Sequence, residues 1–228
     1  MIDMIKKTTT IKVLTCIISL LVFTSLSGEA KSAKSVINSA KAKHVEHKFT
    51  NLEEAQLTKI NLYLNKIKNF NSDFEQVTNR GEIGYGKFYL SRPGKIRWEY
   101  NTPSPILIIG KGKLIGYYDK ELDELSYIGI KNTLAFFLTK ENIDLNKDVN
   151  ILNINISNDV TKITFKDKNT DDEMSVTLVF SNEPIELVGM EVIDNIGKRT
   201  TLTFTTINKP AILADDLFKF PQTRSRRK

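Results

Sequence analysis

The chain has 228 residues, of which 40% are hydrophobic and 26% charged. This is an ordinary globular composition, long enough for one domain with a full hydrophobic core. The formal net charge is +6, but the positive charge is concentrated at residues 31–50 and 224–228. Basic ends are most simply solvated and flexible, with weak contact to an anionic membrane surface as the alternative. We therefore predict no nucleic-acid partner.

Residues 1–30 have the features of a cleavable secretory signal peptide. A basic stretch precedes an apolar run at residues 13–26, and the small residues Gly28 and Ala30 suit a cleavage site. An uncleaved anchor is the alternative, but the run is shorter than the roughly 20 apolar residues that span a bilayer. Cys16, the only cysteine, lies inside this run after Thr15. A lipidated cysteine would follow a smaller residue, so we predict no lipid anchor and a mature chain without thiols.

The mature chain begins with a predicted basic, flexible linker at residues 31–50. A folded domain is predicted at residues 51–222, followed by a basic tail at residues 223–228. The domain opens with an amphipathic helix at residues 52–68, for which Asn51 is the expected N-cap. Apolar residues recur there at helical spacing. They are Leu57, Ile60, Leu64 and Ile67.

Beyond this helix the apolar period changes to two, which predicts strands. About eleven strands are expected, at residues 70–77, 83–90, 95–100, 106–109, 114–119, 125–128, 149–157, 162–166, 174–180, 187–194 and 200–207. The turn signals between them favour an antiparallel meander rather than βαβ units. In one hairpin Arg92-Pro93-Gly94 forms the turn. The strand after it places Ile96, Trp98 and Tyr100 on one face.

Residues 132–138 (NTLAFFL) interrupt the strand pattern and predict a short helix capped by Asn132 or Thr133. The helix is apolar nearly all round, so it must be buried itself or must cover another apolar surface. Core packing and a covering role both remain open at this point.

Few residues suit catalysis or metal binding. The two histidines, His44 and His47, lie in the predicted linker, and no cysteine or obvious carboxylate accompanies them as a metal ligand. The predicted folded domain contains no histidine that could activate a serine. We predict no catalytic residues, no metal and no cofactor, and hence no enzyme.

Several motifs resemble the periplasmic outer-membrane lipoprotein carrier family, LolA. They are Phe74-Glu75-Gln76, the Arg92-Pro93 turn followed by the strand with Trp98, and the end at residues 215–220 (DDLFKF). The resemblance extends from about Leu57 to Phe220. It implies a mainly β fold with helices: a strongly curved antiparallel half-barrel covered by a lid of helices around a hydrophobic cavity.

The resemblance also implies a function. A protein of this family is a periplasmic monomer that accepts lipoproteins from an inner-membrane ABC-type release complex. It binds their acyl chains and delivers them to an outer-membrane receptor or to the outer membrane itself. An outer-membrane receptor or a periplasmic lipid sensor of the same fold is the alternative.

The resemblance also implies which residues form the site, from their positions in the matching motifs. Arg92 matches the family's arginine that hydrogen-bonds lid carbonyl groups when the cavity is empty, although a plain turn arginine is the simpler reading from the residues alone. Ile96 stands where the family commonly has phenylalanine near the cavity mouth. The residues expected to bind lipid are Phe74, Ile96, Trp98, Tyr100, Leu134, Phe137 and Leu138.

Overall fold

A computed structural model describes residues 49–103, 105–131, 133–168 and 173–223. The predicted signal peptide, most of the predicted linker, the two histidines and residues 224–228 lie outside the described residues. The strands are β1 (Asn69–Thr78), β2 (Ile83–Ser91), β3 (Lys95–Tyr100), β4 (Ile106–Lys111), β5 (Leu114–Asp119), β6 (Glu124–Gly129), β7 (Val149–Ile156), β8 (Val160–Asp167), β9 (Ser175–Asn182), β10 (Ile185–Ile193) and β11 (Arg199–Phe204).

All eleven strands form one sheet in the order β6-β5-β4-β3-β2-β1-β11-β10-β9-β8-β7. Every neighbouring pair is antiparallel, and only β1 and β11 are neighbours that are distant in the chain. A sheet of this width curls rather than staying flat. The predicted fold class is therefore confirmed as an open, antiparallel half-barrel with few helices.

One face of the sheet, here called the inner face, is apolar. Along β1 buried residues alternate with partly exposed ones, as period two requires. On β3 the predicted facing is correct, because Ile96, Trp98 and Tyr100 are all buried. Strand β4 is buried on both faces, since the 3₁₀ helix Asp215–Phe218 lies against the outer side of β3 and β4.

Helix α1 (Asn51–Lys66) precedes the sheet and buries Leu57, Ile60 and Leu64. The prediction of Asn51 as its N-cap is wrong, because Thr50 is the cap. Thr50 and Glu53 form a capping box in which each side chain accepts a hydrogen bond from the other's backbone N–H. The chain is thus ordered before the predicted start of the domain, and Phe49 also packs against the core.

Residues 130–148, here called the crossing segment, join β6 to β7. These two strands are the opposite edges of the sheet, so the connection must pass from one edge to the other across the inner face. It contains the predicted short helix, α2 (Leu134–Thr139), capped by Thr133. It also contains α3 (Leu145–Asp148), which the sequence analysis missed. None of the helices in the described ranges is long and apolar enough to cross a membrane.

Candidate functional site

The seven residues predicted to bind lipid lie in one hydrophobic cluster. Four come from the inner face and three from α2, and every one of them is at most 8% exposed. Aromatic rings meet edge-on or tilted across this cluster. Phe74 and Tyr100 have ring centroids 5.1 Å apart, and Phe137 of α2 lies 5.2 Å from Phe165 of β8. The helices therefore rest directly on the inner face, and these residues are almost completely shielded from solvent.

Arg92 lies at the end of β2 and joins both covering elements to the sheet. Its Nε donates to the carbonyl oxygen of Leu138 in α2 at 2.7 Å. Its Nη1 donates to the carbonyl oxygens of Leu64 and, at 3.3 Å, of Ile67. These carbonyl groups belong to the C-terminal ends of α1 and α2, which have no partner of their own within the helix. One guanidinium thus caps two helices.

The charge of Arg92 is compensated in an uncommon way. The residue is only 8% exposed, and among the described residues it forms no ion pair with a carboxylate. Burial lowers the pKa of Arg92 to about 10, so it still carries its proton at neutral pH. The negative ends of two helix dipoles and three carbonyl oxygens stabilise the cation. Because the charge is not held by an acid, water could replace these partners when the cover opens.

Two asparagines that the sequence analysis missed tie α1 to the crossing segment. The Asn65 amide donates to the carbonyl oxygen of Ile143 at 2.8 Å and accepts from the Ile143 N–H at 2.8 Å. Asn61 accepts from the Leu145 N–H at 3.0 Å. The signal available in the sequence was two weak helix formers, four residues apart, beside an apolar stripe. The presence of these two asparagines on the helix is explained by their hydrogen bonds to another part of the chain, the crossing segment.

Replacing Asn65 by alanine is expected to loosen the crossing segment, because the Ile143 N–H and C=O lose their partners. The expected loss is about 1–3 kcal/mol in the free energy of unfolding. Hydrogen exchange at the Ile143 amide should accelerate by more than exchange in the sheet. Asn51→Ala is the control, since Asn51 is exposed on the same helix. Equal exchange rates in the two variants would contradict this role of Asn65.

Helix α1 is also hydrogen-bonded to strands β8, β9 and β10 of the sheet. Gln56 donates to Thr161 at 3.0 Å and to Asn182 at 3.2 Å. The hydroxyl of Tyr63 accepts from the Leu187 N–H at 2.8 Å, and burial raises the pKa of Tyr63 to about 12. Helix α2, by contrast, is held by the Arg92 bond and by a bond from the Gly94 N–H to Thr139 at 2.9 Å. Of the two covering helices, α2 has the lighter polar attachment.

A cleft of about 200 Å³ opens beside α2. Leu134 and Phe137 line it together with Phe165, while lysines and aspartates of α3 and β8 form part of its wall. Two residues of the predicted lipid-binding set are thus adjacent to solvent-accessible space. The described residues contain no group of three or more histidine, cysteine, aspartate or glutamate side chains that could hold a metal ion.

Comparison with known proteins decides the family. The family model described as outer membrane lipoprotein carrier protein LolA matches residues 65–221. The chain belongs to the LolA family. An outer-membrane lipoprotein carrier protein of Chromobacterium violaceum is 27% identical over 176 residues, covering 74% of this chain and 84% of the relative. An uncharacterised protein of Rickettsia prowazekii is 30% identical over 164 residues, covering 72% of this chain and 76% of the relative.

A solved structure of a LolA superfamily protein from Nitrosomonas europaea covers 72% of this chain and 97% of its own, with a TM-score of 0.40 and 12% identity. The assignment to LolA therefore rests on the sequence matches. LolA proteins carry lipoproteins and are not enzymes, which agrees at family level with the predicted class of function.

Proposed function

We propose that this chain is a periplasmic carrier that binds the acyl chains of lipoproteins. It accepts them from an inner-membrane ABC-type release complex and delivers them to an outer-membrane receptor or to the outer membrane. The observation that supports this most strongly is the inner face itself. A wide apolar surface lies under two covering helices, and α2 has the lighter polar attachment, through Arg92 and Gly94.

The energetics fit reversible loading. Each CH₂ group that leaves a bilayer for water costs about 0.8 kcal/mol, so a released acyl chain needs a large apolar surface. The inner face offers one, but it is already packed against α2 in the closed form. Binding therefore exchanges protein–protein apolar contacts for protein–lipid contacts. The net affinity is then the difference between two sets of apolar contacts, which is smaller than either set alone and so favours release.

We propose that α2 and the crossing segment move while α1 keeps its place. Helix α1 has side-chain bonds to β8, β9 and β10. The crossing segment is held at α2 by Arg92 and Gly94 and beyond α2 by Asn61, Asn65 and Lys168. Lifting α2 breaks few polar bonds and uncovers Phe137 and Leu138 together with the inner face.

Trp98 provides a direct test of binding, because it is the only tryptophan in the chain and lies 1% exposed in the proposed site. Monomeric dihexanoyl phosphatidylcholine should change the Trp98 emission in a saturable manner, since the lipid changes the apolar cluster that surrounds the indole. Glycerophosphocholine, which has the same headgroup and no acyl chains, is the control and should have no effect. Unchanged emission at saturating lipid would contradict the proposed site.

A further inference from the structure

Two buried side-chain atoms in the described part of the chain have no hydrogen-bond partner. They are Nε1 of Trp98 and Oη of Tyr117. Leaving a buried donor unpaired is unfavourable, and buried polar groups are nearly always satisfied. Other buried polar groups near the inner face follow that rule. The hydroxyl of Tyr100, for example, donates to Oε1 of Gln76 at 2.8 Å.

The two unpaired atoms belong to one row of residues across the sheet. Trp98 of β3 lies opposite Ile108 of β4, and Ile108 lies opposite Tyr117 of β5. Directly opposed residues of antiparallel strands point to the same face. Trp98 and Tyr117 therefore both project from the inner face, from strands whose backbones are roughly 10 Å apart.

The row runs from the core towards the rim of the half-barrel. At its inner end Trp98 packs against Phe88, with ring centroids 4.5 Å apart. At its outer end Tyr117 lies opposite Ser126 of the edge strand β6, and Ser126 is exposed. A chain lying along this row would have its buried part near Trp98 and its exposed end near Tyr117.

Both atoms are donors under physiological conditions. An indole N–H can only donate. Burial raises the pKa of Tyr117, with the Asp119 carboxylate adding to the effect, so the hydroxyl keeps its proton. A hydrogen-bond acceptor is the one kind of partner that satisfies both atoms, and a neutral acceptor enters an apolar site at the lowest cost.

We propose that Trp98 and Tyr117 form a polar subsite that donates hydrogen bonds to the acyl carbonyl oxygens of bound lipid. This inference rests on the proposed function. An ester carbonyl is a neutral acceptor attached directly to an acyl chain, whereas the chain itself has no acceptor. The subsite therefore selects ester-linked acyl groups over bare hydrocarbon and fixes how far the chains enter.

Two matched lipids test the subsite on the mature chain. Dihexanoyl phosphatidylcholine has ester carbonyls, and dihexyl-ether phosphatidylcholine has the same headgroup and chain number without them. Calorimetry should show the ester lipid binding about tenfold more tightly, since two hydrogen bonds are gained. The cost of opening is common to both lipids and cancels. The single indole N–H resonance in the NMR spectrum should move downfield with the ester lipid only.

Tyr117→Phe should reduce the preference for the ester lipid by about threefold, because one of the two hydrogen bonds is lost. Its melting temperature should stay unchanged or rise, because the lost hydroxyl has no partner in the free protein. If Tyr117 had a purely structural role, the substitution would lower the melting temperature and leave the lipid preference unchanged. Tyr85→Phe is the control, because Tyr85 is 53% exposed and loses the same hydroxyl.

Equal affinity for the two lipids in the unmodified protein would overturn the subsite and leave the carrier function standing. An unchanged preference in Tyr117→Phe would equally overturn it. Failure of both lipids to bind would contradict the carrier function together with the subsite.

Discussion

Replacing Arg92 by leucine is expected to yield a folded carrier that retains its cargo and transfers it poorly. Leucine fills the buried volume but removes the donors that hold the ends of α1 and α2. Because α1 keeps its place, opening breaks only one of the Arg92 bonds, the bond to Leu138. If this charge-assisted bond stabilises the closed form by about 1–3 kcal/mol, its loss shifts the balance towards the loaded form by about one to two orders of magnitude. Transfer of a labelled lipoprotein to acceptor membranes measures the effect.

In this variant we expect transfer to be impaired while the fold is retained. The removed charge was costly to bury, which offsets part of the lost bonding, so thermal melting should remain cooperative. Arg80→Leu is the matched control, because Arg80 is an exposed turn arginine whose loss should leave transfer unchanged. Normal transfer by a normally folded Arg92→Leu protein would show that the bonds of Arg92 to the covering helices do not control transfer.

Gly86→Ala is expected to produce the largest loss of stability among the single substitutions considered. A Cβ at this position would lie 2.1 Å from the carbonyl oxygen of Glu99 and 2.7 Å from the Phe74 ring. Neither neighbour can yield easily, since one is the backbone of β3 and the other is a core aromatic. We expect a loss of at least about 3 kcal/mol, or failure to fold, measured by urea unfolding.

The same position explains how two site residues meet. Phe74 of β1 and Tyr100 of β3 both lie opposite Gly86, on either side of it. Because Gly86 has no side chain, their rings can meet edge to face beside it. Gly84→Ala is the control, since a Cβ there would make only ordinary contacts of 3.7 Å with Tyr100. Similar urea midpoints for the two variants would disprove the close-approach argument.

Strands such as β1, β3, β9 and β11 were predictable because buried residues alternate along them with more exposed ones. Alternation is weak in β4, which is buried on both faces, and in the exposed edge strand β6. The N-cap was predicted wrongly although its signal was present. Thr50 followed by Glu53 is the sequence pattern of a capping box, and it outranks an isolated Asn51. Helix α3 has four residues, which is too short for an apolar period to develop.

The candidate site was less predictable than the fold. Local alternation placed Trp98 on the inner face, and the family resemblance drew attention to Arg92. The bonds from Arg92 to Leu64 and Ile67 could not be foreseen, because they join parts of the chain that only the complete fold brings together. The same is true of the Asn65 contact with Ile143. Hydrogen bonds to backbone groups carry no pattern of their own in a sequence.

The connectivity of the sheet has a consequence for the order of folding. Strands β1 to β6 pair with their neighbours in sequence, and so do β7 to β11, whereas the β1–β11 pair joins Phe74 to Phe204. Pairs of strands that are adjacent in the chain form quickly, whereas pairing of distant strands costs the entropy of closing a long loop. Helix α1 precedes β1 but binds β8 to β10. Helix α1 can therefore dock only when strands β1–β6 and β7–β11 have come together, and until then the apolar inner face is exposed and prone to aggregation.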